Sequence, residues 1–219
     1  MSRVFNFKVR TGIQDNVLSN LNSVTLMSKS TLNSPRAVGD AVQDYLEKNF
    51  EKCLPNGIVK EFSSAFARRA MADFAFTDVD DNYYVIDSKT HNLDTSFNMP
   101  NLTSVERLSR FYEDSNNYFS ILITAYKVDN SKLIFEDCKF VPIELLDWSC
   151  LTLGALGWGQ IQIANSNNIV INEANTRKKW MLQLCDMLDV FYPNEISKIT
   201  KRIDHFRKVR DFWEHQPDK

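Results

Sequence analysis

The chain has 219 residues, of which 43% are hydrophobic and 25% charged, and its formal net charge is -2 at pH 7. This composition indicates one large or two small folded domains and excludes a disordered or collagen-like chain. No apolar run approaches the roughly 20 residues of a membrane-spanning helix, and no apolar segment typical of a secretory signal follows the first residues. Proteins that coat nucleic acid usually carry a large positive excess, so any basic surface here must be local.

The cysteines and histidines give no sign of a metal site of their own. The four cysteines are far apart in the sequence and form no CxxC pair, so neither a zinc knuckle nor a disulfide framework is expected. This usage is typical of a reduced, cytoplasmic setting. The three histidines are equally dispersed, which argues against a histidine metal centre or a Ser/His/Asp triad.

Periodic apolar residues predict an alternation of helices and strands. The second helix has the clearest start, because Ser34 suits the N-cap and Pro35 the first helical position. The predicted helices are Asp15–Ser28, Ser34 to about Cys53, one that starts at Pro100, Thr176–Phe191 and Glu195–Trp213, and the predicted strands are Ala72–Thr77, Tyr83–Thr90, Tyr118–Val128, Leu133–Val141 and Trp158–Ala164. This order predicts a single α/β (α+β) domain over 1–219, with a mixed central β-sheet flanked by helices.

Two acidic residues are expected to meet on the predicted hairpin. Asp73 and Asp87 are each seven residues from Asp80, the centre of the turn, so they fall opposite each other on the two strands. Lys89 projects to the same side as Asp87, because side chains alternate along a strand. Opposed like charges destabilise a sheet, so the pair needs a cation, which Lys89 or a divalent metal would supply.

Such a cluster suits metal-assisted hydrolysis of a phosphodiester. Mg²⁺ prefers oxygen ligands, which Asp73, Asp87 and the carbonyl group of Ser88 would provide. The metal would polarise the phosphate and lower the pKa of a bound water, while Lys89 would hold or deprotonate the attacking water and stabilise the developing charge. The alternative is a plain ion cluster, in which Lys89 only neutralises the two acids.

The pattern of Asp73 followed by Asp87-Ser88-Lys89 resembles the motif of the PD-(D/E)xK nuclease superfamily. The wider sequence is similar to type II restriction endonucleases of the EcoRV-like (HincII-like) blunt-cutting branch, in pieces that follow the family's order over roughly residues 36–210. These pieces are the helix at 37–46, the segments 90–92 and 99–104, the strand 160–163 and the helix start at 175–180. The chain departs from the family in having Ala72 where proline occurs, Ser88 where a β-branched residue is frequent, and Asp40 as the helix acid where glutamate is usual.

The resemblance implies a restriction-endonuclease-like fold and a Mg²⁺-dependent type II site-specific deoxyribonuclease. A homodimer would hydrolyse double-stranded DNA within a short palindrome, because two-fold protein symmetry matches two-fold DNA symmetry. The resemblance favours blunt ends with 5′-phosphates, a bacterial cytoplasmic setting, and a companion DNA methyltransferase that protects the same site without a stable complex. Asp40 would contribute to the active site through a water, unless it is only a solvated helix residue. The alternatives are another nuclease of the superfamily, which repairs or nicks DNA, and a noncatalytic DNA-binding domain.

Residues 150–176 are the expected DNA-recognition region. Gln160 and Gln162 share one face of a predicted strand, and glutamine can bond bidentately to adenine in the major groove. Asn165 would extend this readout, unless the nearby asparagines form only a polar surface loop. The other expected DNA contacts are Asn101, which the resemblance places near the minor groove, and Arg177 and Lys178, which contact phosphate or are simply solvated.

Three further expectations concern residues outside the acidic cluster. Residues 1–33 are expected to form an arm that contacts the second subunit or DNA. Trp158, which lies between two glycines, is expected to pack rather than intercalate between bases. His91 is expected to face solvent at a strand end, with a phosphate contact as the alternative.

Overall fold

A computed structural model describes residues 2–28, 31–63, 72–130 and 132–217 of the chain. Within these residues it has the mixed α+β architecture that the sequence predicts, with a five-stranded mixed sheet, a three-stranded sheet and four α-helices. The chain divides into two compact units, Met1–Ala174 and Asn175–Lys219. None of the helices in the described ranges is long and apolar enough to cross a membrane.

The first unit contains three of the helices and all eight described strands. The helices are α1 (Phe7–Asn22), α2 (Pro35–Asn49) and α3 (Val105–Phe111). The strands are β1 (Val59–Ser63), β2 (Phe74–Asp78), β3 (Tyr83–Asn92), β4 (Asn101–Ser104), β5 (Asn117–Asp129), β6 (Lys132–Pro142), β7 (Leu151–Gly154) and β8 (Gln160–Ile163). The sequence did not predict β1 and β7, which are short and carry half-exposed residues that blur the apolar alternation.

Capping side chains set the starts of the first two helices. The side chain of Asn6 accepts a hydrogen bond from the amide of Lys8, so α1 begins eight residues before the predicted Asp15. It ends at Asn22, so only the first half of the predicted Asp15–Ser28 helix is right. The hydroxyl of Ser34 accepts from the amide of Ala37 and starts α2 as predicted. A short 3₁₀ turn, Phe50–Cys53, follows α2 and completes the predicted stretch.

The first residues belong to the core of the first unit. Val4 and Phe5 are buried, and the buried face of α1 has apolar or long side chains every three or four residues, including Ile13 and Val17. Residues 1–33, which the sequence suggested as an arm, thus contribute α1 and a buried aromatic ring to the fold. Their contact with DNA or with a second subunit stays a prediction.

The five-stranded sheet has the order β1-β2-β3-β5-β6. The β2–β3 pair is an antiparallel hairpin, β3 and β5 pair in parallel, and the remaining neighbours are antiparallel. Eight consecutive residues of β5, Phe119–Tyr126, are buried, which confirms the interior strand that its apolar run predicts.

One face of this sheet packs into an aromatic core. Tyr84 and Ile86 of β3 lie in it together with buried residues of α1 and α2, and the ring of Tyr84 stacks on Phe76 with 4.5 Å between centroids. Because neighbouring side chains of a strand point to opposite faces, Asp87 and Lys89 project from the other face of β3. The core thus fixes the strand from one side and leaves the acidic cluster on the other.

The second sheet has the order β4-β8-β7 and is antiparallel throughout. The sequence predicted a helix from Pro100, but this proline precedes β4, and α3 begins only at Val105. The reason is the cap: the hydroxyl of Ser104 accepts from the amide of Arg107, which gives α3 a defined start after the strand.

The described part of the second unit is dominated by one helix, α4, which runs for 38 residues from Arg177 to Glu214. The two separate C-terminal helices of the prediction are therefore wrong, because Pro193 lies inside α4. Proline removes one backbone donor and costs about 3 kcal/mol in a helix interior. Pro193 is exposed, so water can solvate the carbonyl that loses its partner, and the helix continues on both sides.

Candidate active site

The β2–β3 hairpin brings the two predicted acids together. Its register pairs Phe74 with Ile86, so Asp73 falls opposite Asp87, as the symmetry of the hairpin about Asp80 predicts. The amide of Asp73 donates to the carbonyl of Ile86 at 2.9 Å, and its carboxylate Oδ2 accepts from the amide of Ser88 at 2.7 Å. The main chain of β3 therefore positions the Asp73 side chain at the start of the hairpin.

The turn of the hairpin is held by a third acid, Asp78. Its Oδ1 accepts from the amides of Asp80 and Asn82, each at 2.9 Å, and its Oδ2 accepts from the hydroxyl of Tyr84 at 2.7 Å. Burial works against ionisation of Asp78, but these bonds hold its pKa below the ordinary value. The acidic turn residues are thus explained by turn geometry, and the register they set places Asp73 opposite Asp87.

Asp87 is a buried carboxylate with one oxygen that lacks a partner. Its side chain is 7% exposed, and among the described residues Oδ2 has no hydrogen-bond partner. Burial raises the pKa of Asp87 to about 7; the charge of Lys89 lowers the pKa, and the charge of Asp73 raises it. A buried, unpaired carboxylate oxygen is costly, so this position favours a proton or a cation.

The positive charge of Lys89 acts on both acids and lowers the pKa of each. Its Nζ is 2.6 Å from Oδ1 of Asp87, and its side chain is 23% exposed, so the amine is within reach of solvent. Burial raises the pKa of Asp73, whereas the bond from Ser88 and the charge of Lys89 lower it. The structure thus gathers the three predicted residues, Asp73, Asp87 and Lys89, at one spot.

The helix α2 brings further acids close to this hairpin. Asp40 is exposed on α2 and shares no hydrogen bond or ion pair with Asp73 or Asp87 within the described ranges. Its neighbour Gly39 lies so close to β3 that an added Cβ would be 3.3 Å from Oγ1 of Thr90, the residue after Lys89. Asp40 is thus next to the contact of α2 with β3 but is itself exposed, and its role stays a prediction.

Glu47 is an acid that sequence reasoning missed. It lies two turns after Asp40 on α2, it accepts a hydrogen bond from Gln43 at 3.1 Å, and its negative charge contributes to the raised pKa of Asp73. The signal in the sequence was its spacing of seven residues from Asp40, which puts both carboxylates on one side of the helix.

The donor set fits a magnesium ion in number and kind. Asp73 and Asp87 supply carboxylate oxygens, including the unpartnered Oδ2 of Asp87, and the carbonyl of Ser88 is the third candidate ligand. No group of three or more His, Cys, Asp or Glu side chains suited to a metal occurs in the described ranges. Mg²⁺ does not require one, since it usually binds one or two carboxylates and keeps several waters.

The predicted base-reading strand is β8. Gln162 and Gln160 are both half-buried on it, and Nε2 of Gln162 donates to Oδ1 of Asn101 on β4 at 2.6 Å. Gly154 on β7 allows this packing, because a Cβ there would be 2.7 Å from Oε1 of Gln162. Three candidate DNA-contacting residues, Asn101, Gln160 and Gln162, thus lie on one small sheet.

A cavity of about 410 Å³ adjoins Gln160. Trp158 and Leu156 line it, and their side chains are 58% and 65% exposed. Trp158 was expected to pack, but the loop before β8 holds it at the surface. Gly157 and Gly159 have positive φ angles of 60° and 124°, a conformation that favours glycine, and so shape this loop.

The asparagines after β8 tie two loops together. The side chain of Asn165 accepts from the amide of Asn167, and Nδ2 of Asn167 donates to the carbonyl groups of Thr95 and Ser96. Asn165 also donates to the carbonyl of Ser96 at 3.4 Å. These bonds account for the asparagines as loop structure, and DNA contact by Asn165 stays a prediction.

His91 is part of the same linkage and does not face solvent as expected. It is 3% exposed on β3, two residues beyond Lys89, and its Nε2 lies 2.9 Å from Oδ1 of Asn167. Its Nδ1 has no partner among the described residues. No pattern in the sequence indicates this contact, because the two residues are 76 positions apart.

Arg177 and Lys178 lie at the start of α4 in the second unit. Thr176 caps this helix by accepting from the amide of Lys179. Arg177 is half-buried and Lys178 is exposed, so the exposed amine is open to a phosphate or to solvent. The predicted phosphate contacts of both residues stay predictions.

Comparisons of this chain with models of known protein families and with curated proteins give no match. The resemblance to restriction endonucleases therefore depends on the motif residues themselves.

Proposed function

We propose that this protein is a Mg²⁺-dependent endonuclease that hydrolyses phosphodiester bonds in double-stranded DNA at a specific short palindrome. The observation that carries the proposal is the cluster of Asp73, Asp87 and Lys89 on one hairpin, with the buried Oδ2 of Asp87 lacking a partner. A purely structural ion pair would be expected to satisfy both oxygens of so deeply buried a carboxylate.

Asp73, Asp87 and the carbonyl of Ser88 would hold the metal. When bound, Mg²⁺ would polarise the scissile phosphate and neutralise developing negative charge. The main-chain amide of Ser88 bonds to one carboxylate oxygen of Asp73, so the other oxygen is held in place by the backbone itself. The raised pKa of Asp87 means that a cation must displace a proton near neutral pH, so cleavage is expected to increase as the pH rises through about 7.

Lys89 has two roles in this proposal. In the metal-free site its amine compensates Asp87 at 2.6 Å. With a cation present, the amine is free to orient the attacking water and to stabilise the charge that develops on the phosphate. Its side chain is partly exposed, so the amine is within reach of a bound water or phosphate.

The small β4-β8-β7 sheet is the proposed reading surface. Gln160, Gln162 and Asn101 would bond to base edges, and Arg177 and Lys178 would contact phosphates. We propose that the protein acts as a homodimer in the bacterial cytoplasm, that each subunit cuts one strand, and that blunt ends with 5′-phosphates result. A companion methyltransferase would modify the same site and protect the host DNA.

The direct test is digestion of a large plasmid by the purified protein with and without Mg²⁺, analysed on a gel. Discrete bands that require Mg²⁺ would support the proposal, and sequencing their ends would give the recognition site and the cleavage position. A smear or nicked circles would indicate a repair or nicking nuclease of the same superfamily. Uncut plasmid that is nevertheless bound would indicate a noncatalytic DNA-binding domain.

Two controls make the digestion specific to the proposed site. Asp73→Asn should abolish cutting, because it removes a carboxylate ligand while keeping the side chain's size. Asp129→Asn, at the exposed end of β5, should cut like the unmodified protein. Equal activity of Asp73→Asn and the unmodified protein would attribute any cleavage to a contaminant or to another site.

A further inference from the structure

The second half of α4 carries an apolar stripe that extends along its surface. Every residue from Ile196 to Glu214 is exposed except Val209, which is half-buried. Most exposed apolar side chains recur here at alternating spacings of four and three residues, a pattern that Arg210 completes, whereas the exposed Phe212 lies off it. The apolar stripe consists of Tyr192, Ile196, Ile199, Ile203, Phe206 and Trp213.

The composition of this segment does not favour a helix that stands alone. Of the eighteen residues from 196 to 213, nine are β-branched or aromatic, counting histidine, and these are weak helix formers. Three ion pairs support it, Lys198–Glu195, Arg207–Asp204 and Arg210–Glu214, and each contributes about 0.2–0.5 kcal/mol. Helices of this kind are stabilised by packing an apolar face, so the stripe requires a partner surface.

From this pattern we infer that the apolar stripe of α4 is a dimerisation seam, occupied by the same helix of a second copy of this chain. Alternating spacings of three and four residues define the a and d positions of a two-stranded coiled coil. Ile196, Ile203 and Arg210 take the a positions, and Ile199, Phe206 and Trp213 take the d positions. This inference deepens the proposed function, which requires two copies on a two-fold DNA site.

The charged residues favour an antiparallel pair. In a parallel pair, Arg210 would face its own copy at an a position, and Arg202 would lie beside Arg207 of the partner helix. In an antiparallel pair an a position faces a d position, so that Ile203 packs against Phe206 and Arg210 against Ile199. A two-fold axis near residues 204 and 205 would relate the two helices, as closed dimers require.

The exposed area is that of a protein interface. Phe206 and Trp213 are both 66% exposed, and the six side chains of the stripe together expose on the order of 600 Å² per helix, taking about 150–250 Å² for each large side chain. A standard interface buries about 800 Å² per partner, and the aliphatic stems of flanking lysines and arginines supply the remainder.

The mixed charges of the segment favour a second helix over a lipid surface or DNA. The segment that begins at Glu195 and ends at Glu214 contains six basic and four acidic residues, both glutamates included. A helix that binds anionic lipid carries mainly Lys and Arg on its polar face, and phosphate binding relies on basic side chains rather than on a stripe of isoleucine and aromatic rings. A surface with both signs of charge suits pairing with its own copy.

The test is sedimentation equilibrium of the full chain. Reducing agent is present so that the exposed Cys185 forms no disulfide. DNA and metal are left out so that the result is independent of nuclease activity. The unmodified protein should be a dimer. Ile203→Glu combined with Phe206→Glu should raise the dissociation constant at least 100-fold. The matched control, Asn194→Glu combined with Ser197→Glu, adds the same charges away from the stripe and should remain a dimer.

A second variant keeps the inference testable if the double variant fails to fold. Arg210→Ile should lower the dissociation constant at least tenfold, because it replaces a charge at an a position by an apolar side chain, whereas Lys208→Ile on the opposite side should not. A monomeric unmodified protein, or a dimer indifferent to both stripe variants, would overturn the inference. So would a monomer that sediments with anionic phospholipid vesicles, which would assign the stripe to membranes. If the protein forms a dimer that depends on the stripe but leaves the plasmid uncut, only the proposed nuclease activity is refuted.

Discussion

Asp87→Asn is expected to stabilise the metal-free protein at alkaline pH while preventing its stabilisation by Mg²⁺. The carboxylate of Asp87 is buried, and burial raises its pKa to about 7 from the ordinary 3.8. Between pH 3.8 and about 7, the Asp87 carboxyl group is protonated in the folded protein but ionised in the unfolded chain. The stability that this proton contributes is fully present below pH 3.8 and is lost as the pH rises through about 7. Asparagine keeps the shape of the side chain and carries no charge to desolvate.

The size of the effect follows from the shift. Each pKa unit corresponds to about 1.4 kcal/mol, so the full difference for Asp87 is about 4 kcal/mol, of which about 3 kcal/mol falls between pH 4.5 and 8.5. Local relaxation around the side chain reduces the expected value to about 2–3 kcal/mol. From pH 4.5 to 8.5, the free energy of unfolding of the unmodified protein should therefore fall by about 2–3 kcal/mol more than that of Asp87→Asn.

The free energy of unfolding is measured by urea denaturation at pH 4.5 and 8.5 with a chelator present. The denaturation at pH 8.5 is then repeated with increasing Mg²⁺. Magnesium at 100 times its dissociation constant should stabilise the unmodified protein by about 2.7 kcal/mol and should leave Asp87→Asn unchanged. The control is Asp129→Asn, whose carboxylate lies at an exposed strand end; it should follow the unmodified protein. Parallel pH curves for Asp87→Asn and the unmodified protein would refute the argument that burial governs this site.

Four other substitutions test the amine, the reading strand and a helix cap. Lys89→Ala should reduce plasmid cleavage to background yet retain Ca²⁺-supported binding to the cognate duplex in a gel-shift assay; appreciable turnover would contradict the role of the amine. Gln162→Ala and Gln160→Ala should each weaken cognate binding by about 1–3 kcal/mol, because each removes a bidentate pair of hydrogen bonds to a base, and equal weakening on cognate and noncognate DNA would show that they do not read bases. Ser34→Ala should lower the free energy of unfolding by about 0.5–2 kcal/mol, because it removes the cap of α2; an unchanged denaturation midpoint would argue that the cap contributes nothing.

The parts of the site that are local in sequence could be predicted well. The hairpin register depends on a five-residue turn, so symmetry about Asp80 sufficed to place Asp73 opposite Asp87. The alternation of a strand likewise placed Lys89 beside Asp87. These relations involve residues at most sixteen positions apart, and backbone geometry alone determines them.

The contacts made by distant segments could not be predicted in the same way. The bond between His91 and Asn167 depends on how two sheets of the first unit meet, and no pattern within either segment records that. The proximity of Glu47 to Asp73 likewise depends on how α2 lies over β3, which the close approach of Gly39 to Thr90 determines. Polar residues in such positions look like surface residues in the sequence.

Helix boundaries show where local rules fail for another reason. Pro193 predicts a break, because proline removes a donor and crowds the preceding turn. The helix α4 nevertheless continues through it, since the loss of one bond is small beside those made by the 38 residues of the helix. The start of α1 is not evident in the sequence, because a charged residue, Arg10, takes the first place on its buried face, and the Asn6 cap is visible only in the fold.

The bond between His91 and Asn167 would connect the proposed reading strand to the proposed active site mechanically. Asn167 belongs to the loop that follows the proposed reading strand, and His91 is two residues from the amine of the proposed active site, on the same face of β3. A displacement of that loop on meeting the correct bases would reach β3 through the side chains of Asn167 and His91. Substitutions in the loop would then alter the turnover rate even though they touch neither the scissile phosphate nor the metal ligands, which is how fidelity can be tuned at a distance from the chemistry.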